Sequence, residues 1–352
     1  MKKAADRHLI FAHYFLWFGT PGRSGGWGNW EWKGPGCRHN PARQVHGRRD
    51  IAAVDYPALG PYDSGDRGVL RKHVKWAKSS GIDFFAVDWY GPQNGRGATA
   101  RYSRVDRNFP RLLDVCRDEK FHAAVCYEEK LLFQPSAGIR PRDRIAAGID
   151  HLDHAFRTFG RHPGYMRINR RPVLIVWGDH TLSNDEWRQI LSPIQKKFRP
   201  IVVYSYFFKS DRRQKQWFDR ATSGREEPPG IDGMYPWLLI GPKRSMFARL
   251  TAQYKRLQDL KRRGIIDIVV GSVWPNFNDT GVWAWGGPKP RVIPDHNRLY
   301  EMTWEFAIRN RADWISIATW NDWNEGSQIE PDERTGAAKL ALTSLFSRRF
   351  KG

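Results

Sequence analysis

The chain has 352 residues and a formal net charge of +21, because 58 lysine and arginine residues outnumber 37 aspartate and glutamate residues. Its three cysteines are odd in number and lack the spacing of a metal site. No apolar stretch reaches the roughly 20 residues that a transmembrane helix needs, so integral insertion into a membrane is excluded and a globular fold is favoured.

Eight short apolar runs recur about every forty residues, with amphipathic stretches between them. The runs are His8–Trp17, Ile82–Trp89, Phe121–Glu128, Pro172–Trp177, Pro200–Phe207, Ile231–Trp237, Ile266–Trp274 and Trp314–Trp320. Most of them are too continuously apolar for half-exposed antiparallel strands. Eight alternating strands and helices predict an α/β fold, the (β/α)8 or TIM barrel, as a single catalytic domain over residues 1–352 with loop insertions.

Three of the intervening stretches predict helices. Asp143–Phe159 and Ser245–Arg263 carry apolar residues at helical spacing, and the second ends at Gly264, a frequent C-cap residue. Gly336–Phe350 predicts a last helix that packs outside the barrel.

Directly after the last apolar run stands the motif TWNDWNEGSQIEP, residues 319–331, which sets Asp322 and Glu325 three positions apart. Breaking a glycosidic bond needs a proton for the leaving oxygen and a second carboxylate at the sugar ring. The neighbouring amides of Asn321, Asn324 and Gln328 are expected to contact sugar hydroxyls or to hold the two acids in different protonation states. For this motif alone, a solvated acidic turn is the alternative interpretation.

In a TIM barrel the functional side chains follow the carboxyl ends of the strands. The residues at these ends are Tyr14, Trp17, Asp88, Trp89, Tyr90, Glu128, Glu129, Trp177, Asp179, His180, Tyr204, Tyr206, Tyr235, Trp237, Trp274, Asp322 and Glu325. Each one alone has an ordinary explanation as a packed ring, a solvated charge or a cap. Together at one rim, aromatic and acidic side chains predict a saccharide cleft.

The motif at residues 319–331 resembles the Trp/Phe-Asn-Glu-Trp-x-Glu-Gly-Thr-Gln-Ile-Glu-Pro signature of glycoside hydrolase family 99, the endo-α-mannosidases and endo-α-mannanases. Earlier segments are similar to that family too: AHYFLWFG at 12–19, WGNW at 27–30, GIDFFAVDW at 81–89, HPGY at 162–165, RPVLIV at 171–176 and GIDGMY at 230–235. These matches run in order, so the resemblance covers nearly the whole chain.

The resemblance implies an endo-acting, retaining attack on α-linked glycans, in which one carboxylate deprotonates the sugar 2-hydroxyl to give a 1,2-anhydro (epoxide) intermediate. Glu325 matches the acid/base, and Asp322 occupies the place of the residue that assists the 2-hydroxyl. Tyr14, Trp89, Glu128 and Tyr235 match residues near the reacting sugar. The full set of expected substrate-binding residues is Tyr14, Trp89, Glu128, Tyr235, Asn321, Trp320, Trp274 and Trp177.

One position departs from the family pattern, which has Glu where this chain has Asp322. The shorter side chain reaches about 1 Å less, and misplacement on that scale can cost roughly a hundredfold in rate. The Asn321–Asp322 pair also resembles the Trp-Asn-Asp-Tyr-Gly-Glu-Ser motif of the family 71 α-1,3-glucanases. Three explanations of this difference stay open. The loop is repositioned around another substrate, the chain belongs to a related group that uses an aspartate, or activity toward α-mannan has been lost. The loop 276–285, with two tryptophans, is expected to set specificity for an unassigned sugar.

The net charge of +21 would attract polyanions, and an anionic or sulfated glycan is one partner that fits it. Nucleic acid is not expected, because the basic residues are spread along the chain and no nucleic-acid-binding motif spacing is present. A surface property without function is the default explanation. Cys37, His39 and His46 come nearest to a metal set but lack a zinc-site pattern, so neither a metal nor another cofactor is expected.

Met1–Lys3 is followed by Asp6 and Arg7 rather than by the apolar region of a signal peptide. Two cellular addresses therefore stay open: the cytoplasm, or export after removal of a leader. Two alternatives to a hydrolase also remain at this point. One is a carbohydrate-binding barrel without catalysis, and the other is a polysaccharide-biosynthesis protein with a similar signature.

Overall fold

The computed structural model describes residues 4–93, 100–178, 182–206, 230–237, 243–293 and 296–352. Eight parallel strands form its central sheet: β1 Ile10–Tyr14, β2 Phe84–Trp89, β3 His122–Glu128, β4 Arg171–Trp177, β5 Ile201–Tyr206, β6 Gly233–Pro236, β7 Ile268–Val273 and β8 Trp314–Ile317. Each strand pairs with the next one along the chain, and β8 pairs with β1. The sheet is a closed barrel, which confirms the predicted fold.

Seven helices of more than ten residues surround the barrel within the described ranges: α1 Arg67–Ser79, α2 Ala100–Asp118, α3 Arg144–Thr158, α4 Asn184–Phe198, α5 Lys243–Arg262, α6 His296–Arg309 and α7 Ala338–Lys351. The three predicted helices correspond to α3, α5 and α7. None of the helices in these ranges has the length and apolarity needed to span a bilayer.

Local sequence signals explain where two helices begin. The Asp66 side chain accepts hydrogen bonds from the first backbone amides of α1, which satisfies donors that the helix itself leaves free. At α4, Ser183 and Glu186 form a reciprocal capping box. The strands are apolar on both sides because the helices cover the outer face of the sheet and the inner face packs on itself.

Alternation along the strands decides which side chains reach the interior of the barrel. On β1, the rings of Phe11 and His13 contact Tyr235 of β6 across the interior. The next residue, Tyr14, points the opposite way and meets His73 of α1. Neighbouring residues of a strand thus point to opposite faces of the sheet, and only those that point into the barrel can contact a ligand there.

Several short strands and one long segment lie outside the eight-stranded barrel. Two-residue strands pair as Gln44–Val45 with Arg48–Arg49, and as Phe277–Asn278 with Val292–Ile293. Arg167–Ile168 adds an antiparallel edge to β4. The segment between β1 and α1 folds over the carboxyl-terminal mouth of the barrel, where its Trp30 indole donates to the Tyr62 carbonyl oxygen at 2.7 Å.

Candidate active site

The loop after β8 sets Asp322 and Glu325 side by side. The amide of Asp322 donates to the Thr319 hydroxyl at 2.8 Å, and the amide of Glu325 donates to Oδ1 of Asp322 at 3.1 Å. Asp322 is buried, with 3% of its surface exposed, whereas 24% of the Glu325 side chain is exposed. The turn therefore holds one acid in a dry position and its neighbour in contact with solvent.

A buried network fixes this loop to the barrel wall. The Glu330 carboxylate accepts from the Tyr62 hydroxyl at 2.7 Å and from the Trp323 indole at 3.1 Å. Its other oxygen lies 2.9 Å from Nε2 of His73, whose Nδ1 lies 2.8 Å from the Tyr14 hydroxyl. The carboxylate thus joins the loop to α1 and, through His73, to β1.

Amide side chains fix the same loop to the segment after β1. Asn321 accepts from the Phe15 amide at 2.8 Å and donates to the Phe15 carbonyl oxygen at 3.0 Å. Asn324 donates to the carbonyl oxygens of Asn29 and Ala52 at 2.9 and 2.7 Å. Both amides are buried and bonded to protein. The structure places Asn321, expected to contact a sugar hydroxyl, with both its amide oxygen and its amide nitrogen bonded within the chain.

Three polar side chains, Trp285, Arg291 and Lys130, act on Glu325. The Trp285 indole donates to its Oε1 at 2.9 Å, and Nη2 of Arg291 lies 3.9 Å from the same oxygen. Burial raises the pKa of Glu325, and the Trp285 hydrogen bond and the charges of Arg291 and Lys130 oppose that rise. The loop 276–285, expected to act in specificity, thus touches one of the two acids through Trp285.

Asp322 is the more strongly perturbed acid of the two. Burial, followed by the charge of Glu325, raises the pKa of Asp322 well above its usual range, and the charge of Asp88 adds to the effect. With both pKa values raised, the pair retains a proton at a pH at which isolated carboxylic acids are ionised. Such a pair can act as acid and base near neutral pH.

A third buried acid, Glu128, lies at the end of β3. Burial raises its pKa to about 8; Asp88 contributes to the rise, and Lys130 opposes it. Nζ of Lys130 lies 3.3 Å from the Glu128 carboxylate. Tyr235, on β6, donates from its hydroxyl to the Val176 carbonyl oxygen at 3.1 Å and turns its ring toward the interior. Both residues lie on the interior side of the barrel.

Three tryptophans form an aromatic wall at the mouth. The Trp237 ring meets Trp274 edge to face at 4.7 Å and Trp177 at 5.6 Å. Trp237 also lies 5.4 Å from the ring of His13, in the barrel interior. Lys130 lies over the Trp177 ring at 4.7 Å. The predicted Trp177 and Trp274 are therefore brought together beside Glu128 and Tyr235, and ring faces of this kind suit the apolar faces of sugars.

Three other predicted substrate contacts lie between the sheet and the helices. The Tyr14 hydroxyl meets His73 at 2.8 Å, the Trp89 indole donates to Asp106 of α2 at 2.9 Å, and the Trp320 ring packs 5.7 Å from His73. All three rings are buried. Strand alternation and the start of the last loop turn these three rings away from the barrel interior, so the structure does not bring them together with Asp322 and Glu325.

Other rim residues have structural partners or lie outside the described residues. Glu129 accepts from the Leu182 amide at 2.7 Å and from the Tyr204 hydroxyl, so it supports the approach to α4. His39 bonds to Asp50 at 2.6 Å. Asp179 and His180, and the side chain of Tyr206, lie outside the described residues.

The sequence model of glycosyl hydrolase family 99 matches residues 5–341. The chain belongs to glycosyl hydrolase family 99. It is therefore a glycosidase whose substrate is a carbohydrate.

Curated relatives agree with the family assignment. A human glycoprotein endo-alpha-1,2-mannosidase-like protein is 24% identical over 343 residues, covering 91% of this chain and 68% of the relative. A rat glycoprotein endo-alpha-1,2-mannosidase is 23% identical over 339 residues, covering 92% of this chain and 68% of the relative.

Solved structures share the fold. The GH99 endo-alpha-mannosidase from Bacteroides thetaiotaomicron superposes with a TM-score of 0.73 at 20% identity, covering 97% of each chain. A beta-glucosidase from Thermotoga maritima superposes with a TM-score of 0.57 at 11% identity, covering 99% of this chain and 98% of the other.

The family 99 chain has site residues that the sequence did not reveal. Glu330 lies inside the motif, but nothing in its position predicts that it is an anchor. Arg291 follows the tryptophan-rich loop and is held by Asp279 through its amide at 2.6 Å and Nε at 2.8 Å. His13 is a polar residue inside an apolar strand. This contrast in polarity is the sequence feature that could have marked His13 as a site residue.

Proposed function

We propose that this glycosidase cleaves an internal bond of an α-linked oligo- or polysaccharide, with retention of configuration through a 1,2-anhydro intermediate. The observation that carries the proposal is the turn in which the amide of Glu325 donates to the carboxylate of Asp322 at 3.1 Å. It fixes two acids of unequal exposure at the mouth of a barrel whose interior carries a further acid.

In the first step, Glu325 donates its proton to the glycosidic oxygen, and the bond from that oxygen to C1 breaks. Asp322 takes the proton of the 2-hydroxyl, and O2 forms a bond to C1 on the opposite face. In the second step, Glu325 removes a proton from water, which attacks C1 and opens the three-membered ring. Asp322 returns its proton to O2. Both acids end in their starting states.

The unequal exposure of the two acids supports this division of roles. The more exposed Glu325 has access to a leaving group and to water. The buried Asp322 acts on a hydroxyl next to the reacting carbon, in a position from which water is excluded. Burial raises its pKa, so it is a stronger base than an ordinary aspartate. Glu128, Tyr235, Trp177 and Trp274 supply the surfaces against which the reacting sugar is held.

The printed names of the relatives concern α-1,2-mannosidic bonds. We extend to this chain the α-linkage and the endo mode, and α-mannans are the first substrates to test. α-Glucans belong in the same panel, because Asp322 replaces the family glutamate and shortens the reach of the base.

We also propose that the substrate carries anionic substituents. Lys130 and Arg291 both lower the pKa of Glu325, so both cations act at the same acid. Arg291 is held in place by Asp279, which is fully buried, and its guanidinium stacks 4.9 Å from the Phe277 ring. A fixed guanidinium is suited to sulfate or carboxylate groups. Equal hydrolysis rates for neutral and sulfated oligosaccharides at low salt would contradict this part.

We further propose that residues 1–352 act as one catalytic domain. Support comes from contacts between the amino-terminal and carboxyl-terminal quarters of the chain: Lys351 bonds to Asp83 at 2.8 Å, and the Trp314 indole bonds to the Ala4 carbonyl oxygen at 2.9 Å. A single cooperative unfolding transition, seen alike by tryptophan fluorescence and circular dichroism, is expected.

The experiment that tests the function compares Glu325→Gln and Asp322→Asn with wild type on α-mannans, α-glucans and their sulfated forms. Each substitution keeps the shape and removes the transferable proton or the base, so turnover falls at least a hundredfold while oligosaccharide binding persists. The matched control is Glu333→Gln, a partly exposed position of the same loop that pairs only with Arg48 among the described residues. Full activity in Glu325→Gln would refute the assignment.

A further inference from the structure

Three side chains of the types that bind metal ions meet in the barrel interior, outside the roles assigned above. They are His13 of β1, Asp88 of β2 and Cys126 of β3, and one ligand atom of each lies within 4.8 Å of the others. Within the described ranges, no other three histidine, cysteine, aspartate or glutamate side chains come this close together. All three are buried, so their donor atoms face one another and not bulk water.

The strand register brings these residues together. Asp88 lies opposite Cys126 in the pairing of β2 with β3, and His13 lies opposite Ala86 in the pairing of β1 with β2. Because side chains alternate along a strand, Ala86 and Asp88 point to the same side of the sheet. The His13 ring contacts Tyr235 of β6 across the interior, at 5.9 Å. The three donors therefore point inward from three adjacent strands, and no short spacing in the sequence marks such a set.

The distances between the donor atoms fit a tetrahedral ion. With ordinary zinc bond lengths, a nitrogen and an oxygen ligand lie about 3.3 Å apart, and a nitrogen and a sulfur ligand lie about 3.6 Å apart. Nδ1 of His13 lies 3.2 and 3.3 Å from the two oxygens of Asp88 and 3.8 Å from the sulfur of Cys126. A hydrogen bond from an imidazole to a carboxylate is usually shorter, about 2.7–2.9 Å. The observed spacing therefore fits three donors around one ion better than a direct hydrogen bond.

The chemistry of the donor set suits a divalent ion of the zinc type. A thiolate and a carboxylate carry two negative charges and a neutral imidazole carries none, so a divalent cation makes the buried cluster neutral. Buried charges need this kind of compensation. Sulfur and imidazole nitrogen favour zinc, whereas magnesium and calcium prefer oxygen ligands.

We propose that His13, Asp88 and Cys126 bind one zinc ion in the barrel interior. The Cys126 thiol releases its proton to water when the ion binds, and Asp88 binds as a carboxylate. Three protein ligands leave a fourth tetrahedral position for water or a sugar hydroxyl. The ion joins β1, β2 and β3 close to Glu128, which follows Cys126 by two positions on the same strand.

Groups around the cluster orient the ligands. Asp88 also forms hydrogen bonds with Glu128 and Cys126, and an outer carboxyl group of this kind holds a metal-binding carboxylate in place. Nε2 of His13 is buried and has no hydrogen-bond partner among the described residues. With the ion on Nδ1, Nε2 carries the ring proton, and the ring lies 5.4 Å from Trp237 of the aromatic wall. This N–H is placed to donate to water or to a sugar hydroxyl in the cleft.

The competing account is a hydrogen-bonded cluster without an ion, and metal content separates the two. The untagged full chain is purified without chelators from zinc-supplemented cultures and measured by inductively coupled plasma mass spectrometry. Wild type should hold about one zinc ion per chain, and His13→Phe and Cys126→Ala should each hold less than about a tenth of that. The matched control is Cys116→Ala, which removes another buried thiol, on α2, and keeps the zinc.

Cobalt(II) identifies the ligands. Added to the metal-free wild type, it should give the visible absorption of a four-coordinate ion and a sulfur-to-cobalt charge-transfer band. Cys126→Ala loses this band, whereas Cys37→Ala, which removes the partly exposed loop thiol, keeps it. Chelation should also lower the midpoint of urea unfolding of wild type, and zinc, but not magnesium, should restore it. None of these readouts needs a substrate, so their outcome is independent of whether the proposed hydrolysis is observed.

Wild type that holds no zinc and gives no charge-transfer band with cobalt would overturn the proposal in favour of the hydrogen-bonded cluster. So would zinc that persists in a folded Cys126→Ala protein, or that is lost equally from Cys116→Ala. If His13→Phe and Cys126→Ala give no soluble protein, the cobalt spectra of wild type and Cys37→Ala decide the matter. A band that disappears in Cys37→Ala would assign the ion to the loop thiol and contradict the proposed site.

Discussion

Glu330 should be the main anchor of the loop that holds Asp322 and Glu325, and replacing it tests that role. The carboxylate is fully buried and receives three hydrogen bonds, from Tyr62, Trp323 and His73. Glu330→Ala leaves all three donors without an acceptor and opens a cavity. Breaking a buried pair of this kind costs about 3–5 kcal/mol of unfolding free energy.

Glu330→Gln should be milder for a reason that the geometry supplies. The amide oxygen can replace the carboxylate oxygen that faces Tyr62 and Trp323, while the amide nitrogen faces Nε2 of His73. His73 can then accept at Nε2 and donate from Nδ1 to the Tyr14 hydroxyl, which lies 2.8 Å away. The substitution then removes only the charge assistance of these hydrogen bonds, which costs about 1–3 kcal/mol of unfolding free energy.

Urea unfolding followed by tryptophan fluorescence measures both values. Glu333→Ala is the control, because this residue is 39% exposed and its ion pair with Arg48 is on the surface; its effect should stay within about 1 kcal/mol. A loss below about 1 kcal/mol in Glu330→Ala would refute the anchoring role. Equal losses in Glu330→Ala and Glu330→Gln would refute the proposed tautomer change of His73.

Three further predictions concern charge. Trp285→Phe removes a hydrogen bond that lowers the pKa of Glu325, so the alkaline limb of kcat/KM should move to higher pH; a downward shift would contradict the acid role. Burial lowers the pKa of Lys339 from 10.5 to about 8. Between about pH 8 and pH 10.5 the unfolded chain therefore binds more protons than the folded chain. The free energy of unfolding should rise with pH across this window by about 3 kcal/mol relative to that of Lys339→Met. Urea unfolding at each pH measures the difference. Arg291→Gln should reduce the preference for sulfated over neutral oligosaccharides by roughly tenfold at low salt and by less at high salt, in paired rate assays; a preference insensitive to the change would remove Arg291 from recognition.

The barrel and the acidic pair could be predicted from the sequence for definite physical reasons. Strands buried on both faces give continuous apolar runs, and each of the eight runs coincides with one of the eight strands, although β4 begins one residue before its run, at Arg171. The three-residue spacing of Asp322 and Glu325 suits a single turn, so the two acids had to be neighbours once that turn formed. Both features depend on residues close together in the sequence.

The direction of single side chains could not be predicted in the same way. Tyr14 and His13 are adjacent, and a one-residue difference in strand phase decides which of them faces the interior. Trp89 illustrates the same problem, because its partner Asp106 belongs to a helix whose position the strand pattern does not specify.

The hydrogen-bond partners of the asparagine side chains could not be predicted for a different reason. Asn321 bonds to Phe15, 306 positions earlier in the chain, and Asn324 bonds to Asn29, 295 positions earlier. A polar residue next to two acids was expected to face the substrate, yet buried backbone groups of a distant loop needed the same hydrogen bonds. Only the closed barrel brings these segments together.

The most direct test of the central claim is the anomeric configuration of the first product, followed by proton NMR during hydrolysis of an α-mannan oligosaccharide or whichever α-glycan of the panel is cleaved. Action through Asp322 and Glu325 by way of a 1,2-anhydro sugar inverts C1 twice, so the α-anomer should appear first and the β-anomer only later by mutarotation. A β-anomer as the first product would mean a single displacement by water and would contradict the account.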